Sequence, residues 1–167
     1  MNVEAQTACD ETVRELVYES CLLLNEERWA DYLALCDPEY FRYSIVNYSP
    51  EIRREQIWMD RSHEELQSLL TLLPRHNSDR SQLTRHATVY RVSPSSSAGR
   101  VSAITQVAIY RTHLDGYNSP VTSGLTNLYA VGKYLDEIDF QGATPKFVNR
   151  TVRLDTRQLD IGSHYLF

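Results

Sequence analysis

The sequence predicts an α+β fold in which N-terminal helices pack on a strongly curved, mostly antiparallel sheet. Three observations predict it. Apolar residues recur at helical spacing in the first part of the chain, everything after Gln82 reads as long strands, and turn-rich segments separate those strands. Helices gathered at one end of the sequence and consecutive strands at the other define the class.

Residues 7–25 place Val13, Leu16, Val17, Cys21 and Leu24 on one helical face, with Glu11, Arg14, Glu15 and Glu19 opposite. A turn near residues 25–28 leads to a shorter helix with Trp29, Tyr32, Leu33 and Cys36 on one side. Asp37 and Pro38 end it, because the residue before a proline is disfavoured in the helical region. The period then changes to two. Phe41, Tyr43 and Ile45 alternate with Arg42, Ser44 and Val46, the pattern of a strand with unlike faces, which stops near Ser49 and Pro50. Leu66, Leu69, Leu70 and Leu73 predict another helix, with Asp60 or Ser62 as N-cap and Pro74 as terminator. Residues 52–59 are also compatible with helix, which leaves its start open. Four strands follow over residues 83–92, 101–114, 125–138 and 146–154. Their separators, 93–99, 115–120 and 141–145, draw on Ser, Gly, Pro and Asn. Consecutive strands with short connections form an antiparallel meander, and wrapping it on the helices buries the concave face and the apolar helical stripe together.

A chain of 167 residues fits one domain, residues 1–167, able to bury about 70% of its unfolded surface. With 42% hydrophobic and 23% charged residues and no apolar run near 18 residues, the composition is that of a globular protein and not of a membrane or disordered one. The first residues are acidic and lack the basic and apolar stretches of a secretory signal, so a cytoplasmic location is expected. A net charge of -5 argues against a nucleic-acid partner, since Arg53 with Arg54, and Arg150, Arg153 and Arg157, are only local basic groups. Cys9, Cys21 and Cys36 are odd in number and lie on helical stretches, which suits reduced thiols.

Chemistry-bearing motifs are sparse. None of the three cysteines has a histidine within reach in sequence, so an iron–sulfur cluster on two Cys and two His has no ligand set here. The histidines at 63, 76, 86, 113 and 164 show no paired spacing for a mononuclear iron site, and His63-Glu64 is followed by Gln67 where a zinc-protease helix needs its second histidine. No nucleophile elbow or glycine-rich phosphate loop is present. Asp31, Tyr43 and His86 remain as an acid/base cluster for the mouth of a curved sheet, against the plainer reading that Tyr43 and His86 are packing residues and Asp31 is solvated. Eleven tyrosines against four phenylalanines fit an extensive protein interface, and equally fit the preference of aromatics for strands.

The order of elements is similar to the cone-shaped roll shared by nuclear transport factor 2, ketosteroid isomerases and small oxygenase subunits. Four ordered segments then resemble one family, the small (beta) subunits of Rieske non-haem iron ring-hydroxylating oxygenases. They are residues 11–43, with Leu22-Leu23-Leu24-Asn25-Glu26-Glu27-Arg28-Trp29; Ser81-Gln82-Leu83-Thr84-Arg85-His86; Val107-Ala108-Ile109-Tyr110-Arg111; and Asn149-Arg150-Thr151-Val152-Arg153-Leu154-Asp155, followed by a tail ending in Tyr165-Leu166-Phe167. The chain departs from the family pattern at Ala143-Thr144-Pro145, where Gly-Trp is common, and at Thr156-Arg157-Gln158. The resemblance implies a non-catalytic assembly subunit with no catalytic, cofactor-binding or metal-binding residue of its own. It also implies a homotrimer of small subunits within an α3β3 hexamer, with a large (alpha) subunit that carries the Rieske [2Fe-2S] cluster and mononuclear Fe(II), and a reductase or ferredoxin that supplies electrons. The substrate would be an aromatic or related organic acid. The alternative is a stand-alone dehydratase or isomerase of the same fold using Asp31, Tyr43 and His86, and a ligand-binding or adaptor roll stands third. The apolar tail is expected to be ordered and buried.

Overall fold

A computed structural model describes residues 3–76, 80–114, 123–159 and 166–167, except for the side chains of residues 3–6 and His76. Helix α1 (Val3–Asn25) buries Val13, Leu16, Val17, Cys21, Leu23 and Leu24, the stripe its 3.6-residue spacing lays along one side. It ends in a Schellman closure. Glu27 takes the left-handed conformation (φ 56), Arg28 N–H bonds the Leu23 carbonyl at 2.9 Å, and Glu27 N–H bonds that of Leu24 at 3.4 Å. Helix α2 (Trp29–Ala34) follows at once and buries Tyr32 and Leu33.

Strands β1 (Arg42–Ser49), β2 (Arg54–Ser62), β3 (Gln82–Pro94), β4 (Arg100–Thr112), β5 (Thr126–Asp139) and β6 (Lys146–Leu154) form one sheet in the order β2-β1-β6-β5-β4-β3, with helix α3 (His63–His76) between β2 and β3. The last four strands are the antiparallel meander that their short connections require. The first strand then closes onto the last: β1 runs parallel to β6, with Tyr43 beside Arg150 and Ile45 beside Val152. Each antiparallel pair carries a register shift, at Ile45/Val46, Val89/Arg91, Ile109/Tyr110 and Glu137/Ile138. A bulge bends its strand and increases local twist, so shifts along the sheet curl it around the helices. Gly132 allows the closest approach in this curl, since a Cβ there would stand 2.5 Å from the Arg153 carbonyl oxygen.

The structure departs from the sequence reading at two elements. Residues 54–62 are strand β2 and not the beginning of a helix. As an edge strand it pairs only with β1 and leaves Ile57 and Trp58 exposed, so it shows none of the alternation by which a half-buried strand is recognised. Pro74 does not terminate α3, which runs through it to His76. It lies in the last turn, so the helix continues for only two residues beyond the donor it lacks. The N-cap is Ser62, in a reciprocal capping box: its Oγ accepts from Glu65 N–H at 3.3 Å while Glu65 Oε2 accepts from Ser62 N–H at 2.8 Å. Ser62→Ala is expected to lower stability by about 0.5–2 kcal/mol, read from the urea midpoint. An unchanged midpoint would show that the cap contributes nothing.

Candidate functional site

The concave face of the sheet decides what the roll can do, and it is filled by a polar core. In the β5–β6 register Asp136 stands opposite Arg150, and both side chains are fully buried. Arg150 Nε and one terminal nitrogen each donate to a carboxylate oxygen of Asp136 at 2.8 Å, and the other terminal nitrogen donates to Ser20 Oγ on α1 at 3.0 Å. The guanidinium also lies 4.5 Å from the ring centre of Tyr134 and 4.3 Å from that of Phe147. Burial alone would lower the Arg150 pKa. The charge of Asp136 overrides it and holds Arg150 well above its ordinary value. This single cation therefore joins β6, β5 and α1 through bidentate and single hydrogen bonds.

Around it the phenols are neutral. Burial pushes Tyr32 and Tyr134 far up and raises Tyr43 to about 12, although the bond from Tyr43 to the Phe167 backbone pulls the other way. Tyr43 Oη accepts the Phe167 N–H at 3.0 Å and donates to the Phe167 backbone oxygen at 3.0 Å, both functions of one hydroxyl. The Phe167 ring stacks on Tyr129, with centroids 6.0 Å apart and planes 7° from parallel. Tyr129 is the bulged residue of β5 and lies 5.0 Å beneath the Arg111 guanidinium. Leu166 and Phe167 are thus core residues, as the apolar end of the sequence predicts, whereas Tyr165 lies outside the described residues.

Arg85 closes the other side. Its backbone N–H and one terminal nitrogen both donate to Asn25 Oδ1, at 3.0 and 2.9 Å, which ties β3 to the end of α1. Its other terminal nitrogen donates to the Leu166 carbonyl at 2.5 Å. Beside it a cavity of about 220 Å³ is lined by Leu24, Trp29, Leu73, Ser81, Leu83 and Leu166 among others.

The three residues singled out as an acid/base cluster have three different environments. Asp31 is 54% exposed on α2 and pairs with Arg28 at 2.7 Å, beside an outer cleft that it lines with Gln67 and Thr71. Tyr43 is buried and committed to Phe167. His86 is exposed on β3, its ring edge-on to Tyr110 at 5.2 Å, and it neighbours in sequence the inward-facing Arg85. Among the described residues no group of three or more His, Cys, Asp or Glu is placed to hold a metal. Cys36 is pushed up to about 12 and Cys21 is also raised, in both cases by burial first, so these thiols stay protonated at neutral pH. His63 stands 3.4 Å from the Leu33 carbonyl and His113 3.2 Å from Asn127, while His164 and the His76 side chain lie outside the described residues.

Sequence reasoning missed the residues that organise this interior. Arg150 looks like one of a group of surface arginines on a basic strand, yet only Arg153 and Arg157 of that group are exposed. The signal was present in the alternation. Arg150 shares its parity with Val152 and Leu154, and Asp136 with Tyr134 and Ile138, so both charges fall on the apolar face.

No family model matches the chain. It is 36% identical to the methanesulfonate monooxygenase hydroxylase subunit beta of Methylosulfonomonas methylovora over 162 residues, 97% of this chain and 88% of the relative. It is 30% identical to the 2-aminobenzenesulfonate 2,3-dioxygenase subunit beta of an Alcaligenes species, over 92% of this chain and 95% of the relative. The fold matches that of a beta subunit assigned to an aromatic-ring-hydroxylating dioxygenase from Novosphingobium aromaticivorans, with a TM-score of 0.77, 18% identity and coverage of 93% and 95% of the two chains. Hexachlorocyclohexane dehydrochlorinase from Novosphingobium barchaimii shares the roll at a TM-score of 0.61 and 14% identity, covering 96% of each chain, so the architecture by itself selects no activity. Sequence identity of this extent over nearly the whole chain does select a family: the chain belongs to the small, beta subunits of multicomponent oxygenases.

Proposed function

We propose that this chain is the non-catalytic assembly subunit of an oxygenase that hydroxylates an organic acid, and that the redox chemistry takes place on a large alpha subunit. The observation that carries this reading is the relationship to two beta subunits along almost the full length of the chain. The interior supports it, because the buried polar groups Arg150, Asp136 and Tyr43 are committed to hydrogen bonds within the chain. Exposed Tyr48, Ile57, Trp58, Tyr90 and Leu128 supply apolar surface of the kind that interfaces cover. In this reading the chain forms one domain with no catalytic, cofactor or metal residue. Three copies join three alpha subunits as α3β3, each alpha subunit carrying a Rieske [2Fe-2S] cluster and mononuclear Fe(II). A reductase or ferredoxin delivers the electrons, and the complex works in the cytoplasm. Both relatives are named for sulfonates, so an organosulfonate is the proposed substrate.

Co-expression with the alpha subunit, followed by native mass spectrometry, is expected to yield a complex with equal numbers of the two chains. Recovery of the two chains separately would count against the assembly role. Asp31→Asn and His86→Ala, each introduced into that complex, are expected to change turnover by less than about tenfold. Loss of a true general acid or base typically costs about 10²- to 10⁴-fold, so a drop of that size with the complex intact would favour the isomerase-like or dehydratase-like alternative.

A further inference from the structure

Arg85, Arg111 and Arg150 are the buried arginines among the described residues, and the first and last are in contrasting situations. Arg150 is neutralised by Asp136, whereas the side chain of Arg85 bonds only neutral acceptors, the Asn25 amide oxygen and the Leu166 carbonyl. Its Nε has no acceptor at all among the described residues, although the residue is only 7% exposed. A guanidinium carries five N–H donors, and a buried donor left without an acceptor is costly to keep. Arg85 also lines the cavity of about 220 Å³, a space equal to about seven water molecules at ~30 Å³ each. Among the described lining residues Arg80 is a second cation and Glu27 the one carboxylate, with Asn25 and Ser81 as further polar residues. The remaining walls are apolar: Leu24, Trp29, Leu73, Pro74, Leu83 and Leu166.

We propose that this cavity is a binding site for a small organic anion, a sulfonate or carboxylate whose charged group pairs with Arg85 and whose apolar part lies against Trp29 and Leu73. Among the described lining residues two cations stand against one carboxylate, a balance that favours negative charge. The planar guanidinium suits a two-oxygen acceptor, and the apolar walls distinguish an organic acid from an inorganic ion. The site is separate from the oxygenase reaction and independent of the family assignment, since it rests only on residues of this chain.

The test is calorimetric titration of the full chain with benzenesulfonate and with benzoate, alongside the neutral benzenesulfonamide and benzamide. Trp58→Phe leaves Trp29 as the sole tryptophan, so its fluorescence reports occupancy of this cavity. The anions are expected to bind and perturb Trp29, and the neutral amides to bind at least about tenfold more weakly, as befits a lost charge-assisted bond. Arg85→Gln should abolish the preference for anions. Because that change also touches the Leu166 carbonyl, the exposed Arg80→Gln variant provides a second reading: a several-fold weaker anion affinity at unchanged melting temperature. Equal affinity for anions and neutral amides, anion binding that survives both substitutions in folded protein, or absence of binding by either anion at millimolar concentration would each overturn the proposal.

Discussion

Replacing Arg150 with alanine is expected to destabilise the chain by about 3–5 kcal/mol, because it leaves the Asp136 carboxylate buried without its partner. The pair is inaccessible to water, and Asp136 has no other cation within salt-bridge distance among the described residues. The substitution also removes the donor to Ser20 and the contacts with the Tyr134 and Phe147 rings. A second variant separates the cost of stranding a charge from the worth of the pair. Arg150→Met combined with Asp136→Leu removes both charges and fills the space, and buried ion pairs replaced in this way are often neutral or gain stability. The double variant is therefore expected within about 1–2 kcal/mol of the parent, far from the sum of the single changes. Urea unfolding of the three proteins checks this. A loss under about 1 kcal/mol for Arg150→Ala would mean that water reaches the site and that the ion pair is not the interior strut described above.

The second large effect belongs to the end of the chain. Phe167→Ala is expected to cost about 3–5 kcal/mol and Leu166→Ala about 2–5 kcal/mol, the usual range for truncating well-packed core side chains. Phe167 stacks on Tyr129, and its backbone is held by Tyr43 through a donated and an accepted bond. Tyr43→Phe tests the polar half of this arrangement separately. It removes the partner of the buried Phe167 N–H and backbone oxygen, which costs about 1–3 kcal/mol, while preserving the ring. Removal of residues 165–167 should lower the yield of complex without altering the chemistry of the complex that does form. A truncated chain with parental melting temperature and parental assembly would show that this segment is an appendage.

What could be read in the sequence follows from how each element is exposed. Helices α1 and α2 and strands β3 to β6 declare themselves because each has one buried and one wetter side, so burial is written as a period of 3.6 or 2. Strand β2 lacks that contrast, since Ile57 and Trp58 are surface residues of an edge, and its residues read as compatible with helix. The parallel pairing of β1 with β6 joins residues more than a hundred positions apart, and no local pattern announces it. Arg150, Asp136 and Arg85 were missed for a different reason. A charged residue in a strand is ordinarily assigned to solvent, and only the parity of its apolar neighbours shows that it points inward. The proposed cluster of Asp31, Tyr43 and His86 failed on the same ground, because it combined residues from unlike faces. The four segments that resemble oxygenase beta subunits did not depend on such details, and the full-length relatives agree with them.

The central claim is that this chain assembles an oxygenase whose chemistry lies on its partner. The most direct measurement purifies the complex, separates the two chains, determines iron in each, and assays each chain and the reconstituted complex with an organosulfonate, oxygen and an electron donor. The account predicts that iron remains with the alpha subunit, that this chain alone turns over nothing, and that turnover returns on reconstitution together with the assembled complex. Stoichiometric iron in this chain, or turnover by this chain alone, would contradict it.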